Sequence, residues 1–258
     1  MAASSNPQEP EASKAAAIAR LLWHVDHLRL PVLPEAPCPY LAGQRSTSEA
    51  FAIDALDGET YHALMDRRFR RSGDVFYRPR CAACAACVPI RVPVGLFCPS
   101  PSQRRAVKRN SDVRVELAPL PDRIDDERLG VYQRYLAAQH PGSPQGGDRE
   151  ELESFLYRRV VDTLELCYRV DGRLMGVSVV DASARAWSSV YFYFDPVFAA
   201  RSPGVFSVLW EIARCRELGV PHYYLGYWVR GAATMEYKAN YRPHELLIGG
   251  RWVRPDQA

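Results

Sequence analysis

Residues 164–180 read Leu-Glu-Leu-Cys-Tyr-Arg-Val-Asp-Gly-Arg-Leu-Met-Gly-Val-Ser-Val-Val, two β-rich runs on either side of Asp171-Gly172. Asp-Gly suits the two-residue hairpin turn whose central residues both need positive φ, so the spacing predicts a strand over 164–170 folded back on another over 173–180. Downstream, a third strand is predicted over Ala186–Phe194, ending at Asp195-Pro196. Ser202 is a natural helix cap and Pro203 fits the first helical position, where a missing N–H costs nothing. The helix they open is predicted to run to Leu218, with Val205, Leu209, Ile212 and Cys215 or Arg216 on one side and Gly219 closing it. A buried strand over His222–Trp228 follows. Strand, strand, strand, helix, strand is a meander joined to a β-α-β tail, an α+β architecture with a mainly antiparallel sheet.

Upstream of the hairpin, helices are predicted over Asp126–His140 and Asp148–Arg159, separated by a Pro/Gly/Gln turn at Pro141–Gly147. Ser48–Phe69 reads as a further helix, with Asp57-Gly58 as a point where it is interrupted or starts late. Pro31, Pro34, Pro37 and Pro39 force an extended loop that presents Cys38 and Tyr40. Residues 1–18 carry few large apolar groups and are expected to form a disordered leader. Composition changes from basic to mixed near residue 120. The expected organisation is therefore the leader, an N-terminal cysteine-containing and basic α+β region over 19–120, and a C-terminal domain over 121–258.

Of the 258 residues 47% are hydrophobic and 24% charged, which excludes wholesale disorder. No apolar run approaches the roughly 18 residues of a membrane-spanning helix, and the start has no charged region followed by an apolar one. The cytoplasm is the expected compartment. Net charge is only +3, but twelve basic residues between Arg67 and Arg114 face two acidic ones, Asp74 and Asp112. A segregated cationic field rich in arginine favours a polyanion such as nucleic acid, although a solvated face in an arginine-rich chain has the same composition.

Three groups of residues carry chemistry. Cys81, Cys84 and Cys87 follow one another at steps of three, a spacing that lets thiolates converge on zinc or an iron–sulfur cluster, with Cys38 as leading fourth ligand and Cys98 as the next. Cys167 and Cys215 read as core. On the third strand, strict alternation places Trp187, Ser189, Tyr191, Tyr193 and then Asp195 on one face and Val190, Phe192 and Phe194 on the other. The first face suits a substrate cleft, or equally a sheet face packed under a helix with wet phenol tips. The segment 223–241 gathers Tyr223, Tyr224, Tyr227, Trp228, Tyr237 and Tyr241 with Met235, Glu236 and Lys238, rings that could stack a nucleobase or fill a core.

Several short motifs stand in order. They are Cys38-Pro39-Tyr40-Leu41, Phe69-Arg70-Arg71-Ser72-Gly73, Tyr77-Arg78-Pro79, the cysteine triad running into Val88-Pro89-Ile90-Arg91-Val92, Pro99 to Arg105, Tyr191 to Pro196, Leu225-Gly226-Tyr227-Trp228 and Met235-Glu236-Tyr237-Lys238. Over about residues 20–255 the chain resembles the bacterial aspartate/glutamate leucyltransferases, relatives of the eukaryotic arginyl-tRNA protein transferases. The resemblance implies transfer of leucine from leucyl-tRNA to the N-terminal amine of proteins that begin with Asp or Glu, creating a signal for degradation. It also implies an N-terminal part bearing the cysteine motif and a C-terminal GNAT-like acyltransferase domain, the fold that the strand order most resembles. Where the eukaryotic relatives have a second cysteine in a C-x-x-C pair, this chain has Leu41.

An aminoacyl ester is already activated, and an α-amine with a pKa near 7.7–8.0 is partly neutral at physiological pH, so positioning and oxyanion stabilisation outweigh base catalysis and no cofactor is required. Asp195 or Glu236 is expected to orient or deprotonate the amine, and Tyr191 to donate to the oxyanion or the leaving ribose oxygen. Arg71, Arg78 and Lys238 are the expected partners of the acceptor's acidic side chain, with Tyr227 also in the substrate site. Gln103, Arg104, Arg105, Lys108 and Arg109 are expected to take tRNA phosphates. The alternatives are an arginyl donor, a non-catalytic metal-containing RNA-binding module, and a coenzyme A acetyltransferase. The last is disfavoured because Pro203 removes a backbone donor from the turn Arg201-Ser202-Pro203-Gly204 that would cradle pyrophosphate.

Overall fold

Asp171 and Gly172 take φ of 47° and 79°, and the hairpin they close sets the register of the main sheet. The computed structural model describes residues 8–141 and 147–255. In chain order its elements are α1 (Gln8–His27), β1 (Ala36–Pro37), β2 (Arg45–Ser46), β3 (Ser48–Ala52), α2 (Gly58–Met65), β4 (Arg70–Ser72), β5 (Val75–Pro79), β6 (Val88–Pro93), α3 (Pro101–Arg109), β7 (Arg114–Pro119), α4 (Asp126–Gln139), α5 (Arg149–Leu156), β8 (Thr163–Val170), β9 (Arg173–Ala182), β10 (Ala186–Phe194), α6 (Pro203–Glu217), β11 (His222–Trp228), α7 (Ala233–Glu236), β12 (Glu245–Ile248) and β13 (Arg251–Val253). The large sheet has the order β13-β12-β6-β11-β10-β9-β8-β7. Every neighbouring pair in it is antiparallel except β10 and β11. Parallel neighbours need a crossover, which α6 supplies. The fold is thus α+β with a mainly antiparallel sheet and a β-α-β tail, the architecture the order of elements predicts.

Two apolar layers sandwich this sheet. On one face Ile90, Val92, Leu166, Tyr168, Trp187 and Tyr223 pack with Leu209 and Ile212 of α6. On the other, Cys167, Val177, Val179 and Tyr193 pack with Val131 and Tyr132 of α4 and with Leu152 and Leu156 of α5. A smaller sheet, β3-β5-β4, joins α1 and α2 in a third cluster around Val25, Tyr61, Leu64, Phe69 and Phe76. Ala186 and Tyr224 of the large sheet complete that cluster, so the two parts share a core.

Four expectations are revised. Ser48–Ala52 is a strand paired with β5, and the helix starts only at Gly58 behind an Asp57 cap that accepts from the Glu59 and Thr60 amides. Residues expected to form a disordered leader are helical from Gln8 onward; the alanine-rich run favours helix, and Leu21, Leu22 and Val25 seat α1 on the third cluster. Residues 1–7, and residues 142–146 of the expected turn, lie outside the described residues. The composition change near 120 is not a boundary of the sheet, because β6 and β7, both earlier in the chain, belong to it. Finally, a bulge between Ser189 and Tyr191 breaks the alternation of β10. Trp187 therefore packs with Phe192 on the α6 side, while Val190, Tyr191 and Tyr193 pack beneath α4 and α5.

One buried group makes this fold sensitive to pH. Glu211 of α6 is 1% exposed and accepts from Tyr168 Oη and Ser178 Oγ at 2.8 and 2.6 Å and from Tyr223 Oη. Burial raises its carboxyl pKa despite these donors. A raised folded pKa means that the folded chain binds the proton more tightly. Its stabilising contribution is full below the ordinary glutamate value and is lost as pH rises through the raised one. Thermal melts of Glu211→Gln across pH 4–8 should therefore show a flatter dependence than the unsubstituted chain; parallel profiles would mean that Glu211 keeps its charge when buried.

Candidate functional site

Strands β10 and β11 pair only at Ala186↔His222, Trp187↔Tyr223 and Ser188↔Tyr224, then part. The bulge in β10 after Ser189 and a register shift in β11 between Tyr224 and Gly226 open the wedge. Beyond Ser188 and Tyr224 the facing edges no longer pair with one another, and the side chains of Arg70 and Lys238 reach the backbone carbonyls of Ser189 and Tyr227.

Arg70 enters the wedge from β4. Its Nη1 donates to Ser188 Oγ and its Nη2 to the Ser189 carbonyl. Across from it, Gly226 has φ 83°, and a Cβ built there would lie 3.6 Å from both Nε and Nη2 of Arg70. Lys238 approaches from the 3-10 turn Tyr237–Asn240 that follows α7. It is only 9% exposed, its Nζ donates to the Tyr227 carbonyl at 2.8 Å, and Met235 Sδ lies 3.5 Å away. Burial, reinforced by the Arg70 charge, pulls its pKa down to about 7. On the α4 side Tyr191 packs against Tyr135 and Phe155, with ring centroids 6.2 and 5.2 Å apart. Tyr237, which opens the same turn as Lys238, is exposed.

The basic helix α3 spans the two loops that flank this wedge. Ser100 caps it in a reciprocal box with Gln103, whose Nε2 also donates to the Asn240 carbonyl at the end of the Lys238 turn. At its other end Arg109 Nη1 donates to the Ala200 carbonyl at 2.6 Å and reaches Ser202 Oγ at 3.5 Å, and Asn110 Nδ2 donates to the Arg201 carbonyl. Those contacts hold the turn between β10 and α6. Ser202 itself is left-handed, with φ 58°, and its hydroxyl caps nothing in α6. Gln103, Ala106 and Asn110 are buried, while Arg104, Arg105, Lys108 and Arg109 are exposed on the opposite face. Their i, i+1, i+4, i+5 spacing makes one cationic stripe.

The structure reassigns several expected site residues. Arg71 is not open to substrate: Nε and Nη2 grip Asp181 at 2.7 and 2.5 Å, Nη1 donates to the Gly73 carbonyl, and both side chains are essentially unexposed. Arg78 is engaged with Glu49 and with the Val25 carbonyl at 2.7 Å, its guanidinium lying over Phe69. Tyr227 is 3% exposed and donates to the Arg68 carbonyl at 2.5 Å. Gln103 is a buried cap and not a phosphate ligand. Asp195 caps a 3-10 turn through the Val197 amide and pairs with Arg134 at 2.8 Å, so both its oxygens are engaged. Tyr223, Tyr224 and Tyr241 are core, which leaves Tyr237 as the exposed ring of that cluster. Glu236 is exposed, with one oxygen accepting from the Gly231 amide.

Cys38, Cys81, Cys84 and Cys87 do come together, lining a cavity of about 180 Å³ with Tyr40, Arg68, Tyr77 and Tyr227. Cys38 Sγ accepts from the Leu41 amide and Cys84 Sγ from the Ala86 amide. Burial and the three neighbouring thiols push the Cys87 thiol up to about 11. Yet among the described residues no three Cys, His, Asp or Glu side chains are placed to hold one ion. The expected metal set is gathered around a cavity without closing on a common centre. Cys98 is exposed and outside that lining.

Sequence reasoning passed over Arg70, Gly226 and Arg134. Arg70 adjoins Arg71 in a short strand, and alternation sends the two guanidinium groups to opposite faces; the signal was the strand itself, hidden by a run of arginines.

Comparison with known proteins supplies an independent line. Family profiles of the arginine-tRNA-protein transferase match at residues 36–105 for its N terminus and 127–248 for its C terminus. The aspartate/glutamate leucyltransferase of Hahella chejuensis is 38% identical over 226 residues, covering 85% of this chain and 94% of that protein. That of Stenotrophomonas maltophilia is 40% identical over 237 residues, covering 88% and 93%. Among solved structures, FemX superposes with a TM-score of 0.48 at 10% identity over 77% of this chain and 69% of the other. L-PGS from Bacillus licheniformis does so with 0.44 at 12% over 73% and 55%.

Proposed function

The chain belongs to the aspartate/glutamate leucyltransferases, within the arginine-tRNA-protein transferase family, and from that premise we propose that it moves leucine from leucyl-tRNA to the N-terminal α-amine of proteins beginning with Asp or Glu. It is an aminoacyltransferase. The product carries leucine as its new first residue, which marks the protein for degradation. The observation that best supports the reading is the placement of α3, whose exposed basic stripe joins the two loops bordering the β10/β11 wedge. A tRNA acceptor stem lying on Arg104, Arg105, Lys108 and Arg109 leads its 3′ end toward that wedge.

The chemistry asks little of the protein beyond alignment. The neutral amine attacks the ester carbonyl, a C–N bond forms, and the carbonyl oxygen becomes an oxyanion. Backbone N–H groups on the parted strand edges are suited to stabilise it. Collapse breaks the bond to the ribose oxygen, which takes up the proton released by the amine. Glu236, exposed and with one oxygen accepting from the Gly231 amide, is the residue we assign to orient the amine and pass that proton on. Tyr191, whose phenol stays protonated because burial raises its pKa well above the usual range, is assigned to donate to the oxyanion or to the leaving ribose oxygen. No cofactor enters these steps.

The test is direct. Purified protein incubated with labelled leucyl-tRNA and a peptide beginning with Asp should yield leucyl-peptide, with arginyl-tRNA and acetyl-coenzyme A giving far less product. Product from arginyl-tRNA alone would assign the arginyl donor, and none from either tRNA would refute the reading.

A further inference from the structure

The protein has 14 Tyr, 9 Phe and 5 Trp residues, and just two of these rings, Trp23 and Tyr237, are exposed. Trp23 is on α1, where it stacks on His27 with ring centroids 5.0 Å apart. Tyr237 is 46% exposed, and among the described residues its ring stacks on no other and its hydroxyl makes no hydrogen bond. The backbone that carries it is held from two sides. The 3-10 turn Tyr237–Asn240 buries Lys238, whose Nζ donates at 2.8 Å to the Tyr227 carbonyl, on β11 beyond its last pair with β10. From the other side Gln103 Nε2 donates to the Asn240 carbonyl and the Cys98 amide to the Arg242 carbonyl, both at 3.2 Å. Those two bonds fasten the turn to the start of α3, so Tyr237 and the cationic stripe belong to one unit. An open ring face on a fixed backbone is what an unpaired nucleobase stacks on, and little conformational freedom is left to lose when it does.

The charges around the ring favour a nucleotide over a peptide as its partner. Arg242 follows five residues after Tyr237. It is exposed, its Nε donates to the Ala239 carbonyl at 3.3 Å, and it pairs with no acid among the described residues, which leaves both Nη groups open to a phosphate. The turn therefore offers a ring for a base and a cation for the phosphate beside it, and Arg104, Arg105, Lys108 and Arg109 continue the cationic surface along α3. Every tRNA ends in adenosine, so the base that arrives with the ester is always an adenine. Resting on the aminoacyl-tRNA donor given under Proposed function, we infer that Tyr237 is the platform on which the terminal adenine of leucyl-tRNA stacks, and that Arg242 takes the phosphate joining that nucleotide to the next. Stacking there brings the ester-bearing ribose to the neighbourhood of Glu236, the preceding residue, to which the acceptor's amine is assigned. Specificity for the base edge is not needed, because stacking on a phenol reads only its face.

Uncharged tRNA with the fluorescent base 2-aminopurine in place of the terminal adenine reads the stack without any transfer. At saturating protein its fluorescence should be quenched by the unsubstituted protein and by Tyr237→Phe, which keeps the ring, and should stay at the level of free RNA with Tyr237→Leu. Tyr237→Leu should also weaken tRNA binding by about 5- to 150-fold, the loss of one base–aromatic stack. It should lower kcat/KM for intact leucyl-tRNA and for 3′-leucyl-adenosine by the same factor, since both end in the same nucleoside. Arg242→Gln should keep the quenching and take about 0.7 to 0.9 off the log–log salt slope of tRNA binding. Both side chains are exposed, so the melting temperatures of all three variants should hold. Quenching by Tyr237→Leu equal to that by the unsubstituted protein would overturn the platform, as would no quenching by the unsubstituted protein on tRNA that a gel shift shows to be bound. So would a loss in Tyr237→Leu confined to affinity for the Asp peptide, which would assign the ring to the acceptor. Where leucine transfer fails but the quenching follows the ring as stated, the platform stands and the transfer reading alone falls.

Discussion

Charge reversal of Arg104, Arg105 and Lys108 together should lower leucine transfer from intact leucyl-tRNA by about 100-fold or more at moderate salt, and should flatten the log–log salt dependence of tRNA binding by about 2 to 3. All three side chains are exposed, opposite the buried Gln103, Ala106 and Asn110 that seat α3. Their replacement therefore leaves the helix cap and its contacts with Asn240 and Arg201 intact. Transfer from 3′-leucyl-adenosine, which lacks the stem, should change by less than about threefold, since that fragment needs only the wedge. Steady-state rates with the two donors check the prediction. An equal loss on both donors would make α3 part of the cleft's own structure, and an unchanged salt slope would remove it from the RNA surface.

Arg71→Ala should be the most damaging single substitution for stability. The guanidinium holds Asp181 through two short bonds in a site closed to solvent, and Asp181 also accepts from Thr163 Oγ1 at 2.8 Å. Removing the cation leaves a carboxylate buried without its partner, a change that costs about 3–5 kcal/mol. In a chain of this size that corresponds to a fall of roughly 6–20 °C in melting temperature. The pair ties β4 of the small sheet to β9 of the large one, so loss of the clasp should loosen the small sheet first, as hydrogen exchange would register. Discrimination between Asp and Asn acceptors should survive at low temperature. Its selective loss would return Arg71 to the substrate site. Replacing Arg71 by Met and Asp181 by Leu together should recover much of the stability, because a missing buried pair is far cheaper than a broken one.

The contrast between neighbouring arginines shows what a sequence can carry. The Asp171-Gly172 hairpin, β10 and β11 were legible with ends within two residues, because turn chemistry and β-branched runs are local signals. The helix after Pro203 was equally plain from its proline start and Gly219 stop. Residues 48–52 were misread as helix because Ser-Glu-Ala-Phe-Ala has no strand signature of its own; pairing with Val75–Pro79 makes it a strand. The alternation of β10 failed at a bulge, which inserts a residue without leaving a mark in composition.

At the site, the residue types were legible and the partners were not. A cation for the acceptor's acid could be argued from the chemistry, and of the three expected cations Lys238 is the one that makes no ion pair among the described residues. Arg71 and Arg78 drop out because Asp181 and Glu49, distant in sequence, had already claimed them. Asp195 drops out through Arg134, which α4 brings across from 61 residues away. The four cysteines, expected to converge on one ion, gather around one cavity, but spacing alone did not fix how near they approach, and among the described residues no three ligands are placed to hold an ion.

Site-specific crosslinking of bound leucyl-tRNA gives the most direct access to the path of the 3′ end. A photoreactive phenylalanine analogue in place of Tyr237, at the rim of the wedge, should capture the terminal nucleotide. The same group in place of Arg105 should capture the acceptor stem, and in place of Trp23, exposed on α1, should capture neither. Capture of the terminal nucleotide at Trp23 with none at Tyr237 would mean that the donor's 3′ end lies away from the β10/β11 wedge and would contradict the account.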